Sequence, residues 1–272
     1  MHAIRLHAFG PPESLRYEEV ADPEPGPGQV RIDVDAAGVH LLDTRLRAGE
    51  ASGPLPLPDL PDIPGREIAG RVSALGTGVG EAWLGRRVVA HLGPAGQGYA
   101  ERVVTDVERL HRIPGDVPAE VAVAMIGTGR TAMAVLEAAA LTADDVVVVP
   151  AAAGGLGALL VRAALGAGAF VVGLAGGAAK VRTVGDLGAH VALDYTREAW
   201  PVDVRERLEG REVTVVLDGV GGGTGRAALE LLAPGGRLLM FGYSAGTPTR
   251  ISSEDVWARG ITVSTGKVVL VP

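Results

Sequence analysis

The 272-residue sequence contains no cysteine. That absence excludes disulfides, thiolate catalysis and any cysteine-ligated zinc or iron–sulfur site. Positive charge is not in excess: 25 Lys and Arg stand against 32 Asp and Glu, a formal net charge of −7. Proteins that grip a phosphate backbone carry a basic face, so nucleic acid is not an expected partner. No basic segment followed by an apolar stretch opens the sequence, and no apolar run is expected to reach membrane-spanning length. These absences lead us to expect a cytoplasmic protein with neither nucleic acid nor membrane as a partner.

What is present is a hydrophobic fraction of 47 % beside 21 % charged residues, the profile of an ordinary globular protein. Forty glycines and 18 prolines supply turns, and the length suffices for two modest domains with real cores. The chain has two textures. Up to about Pro118 the apolar runs are short and broken by turn signals, and Ile32, Val34 and Ala36 alternate with Asp33 and Asp35. Such a pattern predicts half-exposed antiparallel strands in a small barrel-like β domain. The proline-dense stretch Gly53 to Gly65 reads as a non-helical loop, either plain surface or a flap at a site mouth.

From about Ala119 the period changes. Helices are predicted over Val121–Ala140, Gly155–Ala167 and Ala178–Leu187. Strands are predicted at Val146–Val149, Phe170–Leu174, Val191–Leu193, Val213–Leu217, Arg237–Phe241 and Ile261–Ser264. Strands alternating with helices imply a doubly wound parallel sheet. Residues 1–118 and 119–264 are the expected domains, with 265–272 a candidate to return to the first.

The most telling stretch is Val146–Gly157, VVVVPAAAGGLG. Four valines suit a strand buried on both faces, and a glycine turn then opens a helix. That arrangement holds a dinucleotide pyrophosphate, because glycines admit the phosphate and the free N–H groups of the helix start point at its charge. Ala153, Gly154, Gly155 and Leu156 are the candidate contacts. The motif is incomplete, since Ala152 stands where the first glycine of G-x-G-x-x-G belongs. A second absence bears on the cofactor. NAD enzymes usually carry an acid at the end of the next strand, about 20 residues after the fingerprint begins, to bind the ribose diol. Here that stretch is Gly173-Leu174-Ala175-Gly176-Gly177, with no acid before Asp186. A neutral loop at Gly176 leaves room for a 2′-phosphate, and Lys180 and Arg182 follow it. NADPH is therefore the expected cofactor.

Several further motifs occur in order: Met1–Tyr17, PEPGPGQV at Pro23–Val30, AGVHLLD at Ala37–Asp43 and PGREIAGRV at Pro64–Val72. They continue with GQGYAE at Gly96–Glu101, GTGRTA at Gly127–Ala132, DGVGG at Asp218–Gly222 and FGYSAG at Phe241–Gly246. With the glycine loop they make the chain resemble, nearly end to end, the zinc-independent quinone oxidoreductase branch of the medium-chain dehydrogenases/reductases. The resemblance implies a GroES-like β-barrel domain followed by a doubly wound parallel Rossmann sheet. It implies that Lys180 and Tyr195 hold the 2′-phosphate and that Thr131 seats the cofactor near its nicotinamide end. Val220 and Gly221, with Phe241, Gly242 and Tyr243, would flank the nicotinamide ring.

Zinc-dependent relatives place their ligands at the positions of His40, Arg66 and Thr128. One histidine, even with Glu67 beside it, does not make the three-ligand catalytic set, so no metal is expected. Hydride transfer needs little beyond placing the nicotinamide against an electrophilic carbon and excluding water. The expected substrate is a quinone or another conjugated carbonyl. His40 or Tyr243 would donate to its oxygen, and Arg45 or Arg66 would attract an anionic substrate. Two other functions stay open: an enoyl-thioester reductase of polyketide or fatty-acid type, and an NADPH-binding protein with little turnover. Relatives dimerise through the edge strand corresponding to Ile261–Ser264, so a homodimer is expected.

The sequence departs from the family at His40 and Tyr243, where the quinone reductases often have Asn. It also passes from Ser264 to Thr265–Leu270, which resembles the family's closing strand, without the several tens of residues that normally intervene. An internal deletion is the expectation there.

Overall fold

A computed structural model of the chain describes residues 1–51 and 56–265. The stretch expected as a closing strand lies largely outside these residues, as does part of the proline-dense loop. The chain divides into two compact units, Met1–Gly127 and Thr128–Pro272.

In the first unit, strands β1 (His2–Leu6) and β2 (Leu15–Glu19) form an antiparallel pair. A five-stranded antiparallel sheet follows. It comprises β3 (Gln29–Ala37), β4 (Glu67–Leu75), β5 (Arg87–His91), β6 (Arg102–Asp106) and β7 (Leu110–Arg112). Its strand order is β6-β3-β4-β5-β7. On β3, Val30 and Ile32 are buried while Asp33 and Asp35 are exposed, as the alternation predicts. They pack with Ile68, Val72, Val88 and Val103 into one cluster. Helix α1 (Leu41–Arg47) follows β3 directly, and α2 (Ala119–Ala124) packs on β3 and β4. Irregularities in the β3–β4 register shift the end of β3, yet the pair still closes with the Gly38 N–H on the Glu67 carbonyl at 2.9 Å. That closure brings the start of α1 over the start of β4.

A π-helical turn (Met125–Gly129) joins α2 to α3 (Arg130–Ala139). The 21-residue helical run Ala119–Ala139 is long and apolar enough to match a membrane span by length and composition alone. The expectation of no such run therefore fails on this segment. Its alanines and glycines do not read as an apolar run, and Glu120, Arg130 and Glu137 interrupt it. Its inward residues belong to core clusters: Ala122 and Val123 in the first unit, Ala132, Val135 and Ala139 in the second.

The second unit contains a six-stranded parallel sheet. Its strands are β8 (Val146–Val149), β9 (Phe170–Ala175), β10 (Val191–Asp194), β11 (Val213–Asp218), β12 (Leu232–Met240) and β13 (Thr262–Thr265). The order is β10-β9-β8-β11-β12-β13, so the chain reverses direction across the sheet between β8 and β11. Helices α4 (Gly155–Gly166), α5 (Ala178–Asp186), α6 (Trp200–Arg207), α7 (Gly222–Leu231) and α8 (Ser253–Arg259) connect them.

The four valines of β8 divide between two cores. Val147 and Val149 face Leu160, Val161 and Ala164 of α4, whereas Val146 and Val148 join Trp200, Val204, Ala228 and Leu229 of α6 and α7. Burial on both faces is the reason the strand has no polar position. Each such side chain contributes about 1.5–3 kcal/mol relative to exposure.

Candidate active site

The site features of the second unit lie at the carboxyl ends of the parallel strands. After β8 the chain makes a tight turn, with Ala151 in the left-handed region and the Gly154 N–H bonded to the Ala151 carbonyl at 2.9 Å. Helix α4 then begins at Gly155 with no side-chain cap. Its first N–H groups have no intrahelical partner by the geometry of any helix start. The third glycine of the motif, Gly157, is required by packing: a methyl there would overlap the Ala151 carbonyl oxygen. The missing first glycine also has a cause. Ala152 is fully buried, and its methyl occupies room left by Gly173 on β9, where a side chain would meet both Ala152 and Val184. The Thr128 methyl approaches the start of α4, and Thr131 stands half-buried in the first turn of α3, which packs on α4.

The loop after β9 is neutral, as its sequence predicts. Gly176 meets the β10–α6 loop: a methyl on it would stand 3.6 Å from the Tyr195 hydroxyl and 3.4 Å from Thr196. Tyr195 is thus brought beside Gly176, and Lys180 stands exposed in the first turn of the helix that this loop opens. The nearest acid, Asp194, escaped the sequence analysis. Its carboxylate is turned into the loop, accepting from the Gly177 N–H at 3.0 Å and from the N–H and hydroxyl of Thr196. These bonds, the Gly177 one foremost, hold its pKa below the ordinary carboxylate value. Asp194 ties two loops together.

A third loop pair was expected through the family resemblance. The segment after β11 and the segment after β12 run side by side. Phe241 N–H donates to the Asp218 carbonyl, Ser244 N–H to Gly219 and Ala245 N–H to Val220. The pairing needs glycine at close range. Gly221 has φ +71° and faces Tyr243, while a methyl on Gly219 would stand 2.6 Å from the Phe241 ring. Val220, Gly221, Phe241, Gly242 and Tyr243 are therefore brought together. The residue that fastens them is Asp218, fully buried at the end of β11. It accepts from the Val220 and Gly221 N–H groups at 2.9 Å each and from the Thr249 hydroxyl at 2.5 Å. The signal for it was an acid immediately before a glycine-rich turn, where Asp bonds the backbone ahead of it.

The first unit holds a separate polar cluster. His40 precedes α1, and its backbone N–H donates to Asp43 at 2.8 Å. The same carboxylate oxygen accepts from the Tyr99 hydroxyl at 3.0 Å, and Arg66 lies 3.8 Å from the other oxygen. Burial first, then the Asp43 carboxylate, keeps the Tyr99 hydroxyl protonated far above the ordinary tyrosine range. His40 Nε2 lies 2.6 Å from Glu67 Oε2. That hydrogen bond raises the His40 pKa against the opposing effect of burial. Glu67 is 1 % exposed, and its place in the sequence suggested only a zinc ligand. Arg45 lies half-buried on α1. The described part of the proline-dense loop, from Pro56, walls a small cavity shared with Asp43 and Arg66.

The residues at the zinc-ligand positions of the sequence analysis do not form a donor set. Arg66 brings a cation, Thr128 a weak donor, and the His40 nitrogen is taken by Glu67. Among the described residues no group of three His, Asp or Glu side chains is placed to hold a metal ion.

Comparison with known proteins finds the same two-domain fold. The model of the Alcohol dehydrogenase GroES-like domain matches residues 26–153, and that of the Zinc-binding dehydrogenase matches residues 155–268. The chain is 34 % identical over 263 residues to a 2-haloacrylate reductase of Burkholderia sp., covering 95 % of this chain and 78 % of the relative. It is 34 % identical over 250 residues to a quinone oxidoreductase of Pseudomonas aeruginosa, covering 92 % and 75 %. The crystal structure of Escherichia coli quinone oxidoreductase complexed with NADPH superimposes with a TM-score of 0.84 at 28 % identity, covering 97 % of this chain and 80 % of that one. By its two domains, its ordered motifs and these relatives, the chain belongs to the quinone oxidoreductase branch of the medium-chain dehydrogenases/reductases.

Proposed function

We propose that the protein is an NADPH-dependent, zinc-independent reductase acting on a quinone or another conjugated carbonyl. The observation that carries this is the neutral loop at Gly176–Gly177, whose nearest acid is spent on backbone N–H groups while Lys180 and Tyr195 flank it. Lys180 and Tyr195 bind the 2′-phosphate, a charge-assisted contact that NADH lacks. The backbone at Ala153, Gly154, Gly155 and Leu156 binds the diphosphate. Thr131, Val220, Gly221, Phe241, Gly242 and Tyr243 border the nicotinamide. When bound, NADPH supplies a hydride. The chain's own part is to orient, to exclude water and to provide a proton at the acceptor oxygen, from His40 or Tyr243, with Arg45 attracting a negative substrate.

In this scheme residues 1–118 serve the substrate and residues 119–264 the nucleotide. The protein works as a cytoplasmic homodimer joined through β13, the last strand of its sheet, and needs neither membrane nor nucleic acid. Kinship to a 2-haloacrylate reductase favours testing activated C=C bonds beside quinones. The experiment is to follow NADPH oxidation against benzoquinones, naphthoquinones, enones, a 2-haloacrylate and an enoyl thioester. Turnover of a quinone or enone is expected. Preference for the thioester would move the assignment to the acyl-assembly reductases. Tight NADPH binding without any turnover would overturn it in favour of a binding protein.

A further inference from the structure

Arg66 is a cation whose donors are unused. It stands immediately before β4, and its side chain is 13 % exposed. A guanidinium carries five N–H donors in a fixed fork, and taking them from water without partners is unfavourable. Among the described residues no group accepts a hydrogen bond from this side chain. The carboxylate it approaches, Asp43, stays at 3.8 Å, beyond hydrogen-bond length. Arg66 lines a cavity of about 110 Å³ whose lining residues all belong to the first unit. That volume is far below the roughly 300–1,000 Å³ of pockets for drug-sized ligands and suits a molecule of a few heavy atoms. Leu6, Leu46, Pro56, Leu57 and Pro58 make its apolar wall. The charged groups in the lining are two of each sign, Arg47 and Arg66 against Asp43 and Asp62. Arg47 donates through Nε to the Gly10 carbonyl at 3.1 Å. Asp43 Oδ2 is taken up by the His40 N–H and the Tyr99 hydroxyl. Burial raises the Asp62 pKa, so this acid can take up a proton when a second carboxylate enters beside it. What the cavity holds in excess is N–H donors, and Arg66 supplies the larger share.

We infer that this cavity is a subsite for a small carboxylate, clasped by the Arg66 fork, with the ligand's short carbon chain against Leu6, Leu46 and the prolines. Two parallel N–H···O bonds to one carboxylate are the geometry for which a guanidinium is preorganised. In a partly dry cavity such a charge-assisted pair is stronger than in water. The apolar wall keeps water from the bond and offers no partner to a second polar group, which favours an acid with a plain hydrocarbon or halogenated body. The subsite needs the first unit alone. That its ligand is the hydride acceptor rests on the reductase function proposed above. It then adds small conjugated acids to the acceptors, a class to which the 2-haloacrylate of the panel above belongs.

The test uses the full chain without cofactor, with arginine labelled for NMR. R66K identifies the Arg66 Nε–H signal by removing it, and circular dichroism reports folding. Acrylate is the probe, and acrylamide, of nearly the same size and shape but uncharged, is the control. Acrylate is expected to shift the Arg66 signal to saturation, and acrylamide is expected to leave it in place. R66M should weaken acrylate binding at least about tenfold, equivalent to about 1.4 kcal/mol. R66K, which keeps the charge without the fork, should recover part of that loss. Should R66M fail to fold, the contrast between acrylate and acrylamide on the wild type still decides. An Arg66 signal that ignores acrylate, or answers acrylamide equally, overturns the inference, as does R66M binding acrylate with wild-type affinity. With NADPH added, kcat/KM should favour 2-chloroacrylate over its methyl ester, and R66M should reduce that preference by about tenfold. A wild type that reduces acid and ester alike removes the acceptor from the subsite. Failure of the reductase function shows differently, as a wild type that binds acrylate through Arg66 yet oxidises no NADPH with any acceptor.

Discussion

At the scale of single residues, the glycine motif separates two requirements that one pattern usually merges. Gly157 answers to packing, because any side chain there strikes the Ala151 carbonyl oxygen. In the proposed function Gly154 and Gly155 answer instead to access by the diphosphate. G157A should therefore cost about 1–3 kcal/mol of stability through backbone displacement, the usual range for overfilling a packed site. It should weaken NADPH binding by about tenfold, equivalent to about 1.4 kcal/mol. Thermal unfolding and calorimetry measure the two together; an unchanged melting temperature with unchanged affinity would contradict the packing role. His40 links the first unit to pH. Its pKa is raised on folding, so the stabilisation from Glu67 is complete below the unfolded value of about 6.5 and is lost as pH rises through the higher folded value. The stability gap between wild type and E67Q should narrow in that window.

At the scale of elements, the carboxyl ends of the strands are assembled by carboxylates that bond to backbone rather than to one another. Asp218 fastens the loop after β11, and Asp194 fastens the loops after β9 and β10. D218A removes the acceptor of two buried N–H groups and of the Thr249 hydroxyl. The expected loss is about 2–4 kcal/mol, because unsatisfied buried donors carry their full desolvation cost. Hydrogen exchange should report faster opening at Val220 and Gly221 than at β8; uniform protection would contradict the role. Sequence periodicity located β8 to its boundaries because four valines serve two cores and leave no ambiguity. The same method passed over α7. That helix opens with Gly222, Gly223, Thr224 and Gly225, which read as loop, and Gly225 is demanded by contact with Asp218 and Thr249 rather than by propensity. Helix α8 begins at a Ser252–Asp255 capping box, a local signal without an apolar period to draw notice.

At the scale of the whole molecule, two architectures carry two kinds of legibility. Local spacing along the chain singled out Gly154, Gly176 and Lys180, whereas Tyr195 and Gly221 came only from the resemblance to the family. The His40–Glu67 pair could not be chosen from spacing, because it depends on how the end of β3 meets the start of β4, a contact between residues 27 positions apart made by register. Resemblance to the family suggested what His40 replaces, but only the antiparallel pairing shows what it faces. The chain spans about three-quarters of the length of the curated relatives it matches, and both family models find their match within it. The central claim is selection of a phosphorylated nicotinamide by a neutral loop and one lysine. Calorimetry on the wild type and K180A, with NADPH and NADH in parallel, tests it most directly. The wild type should bind NADPH at least about tenfold more tightly than NADH, and K180A should remove most of that margin while leaving NADH affinity unchanged. Equal affinity of the wild type for the two nucleotides, or no binding of either, would contradict it.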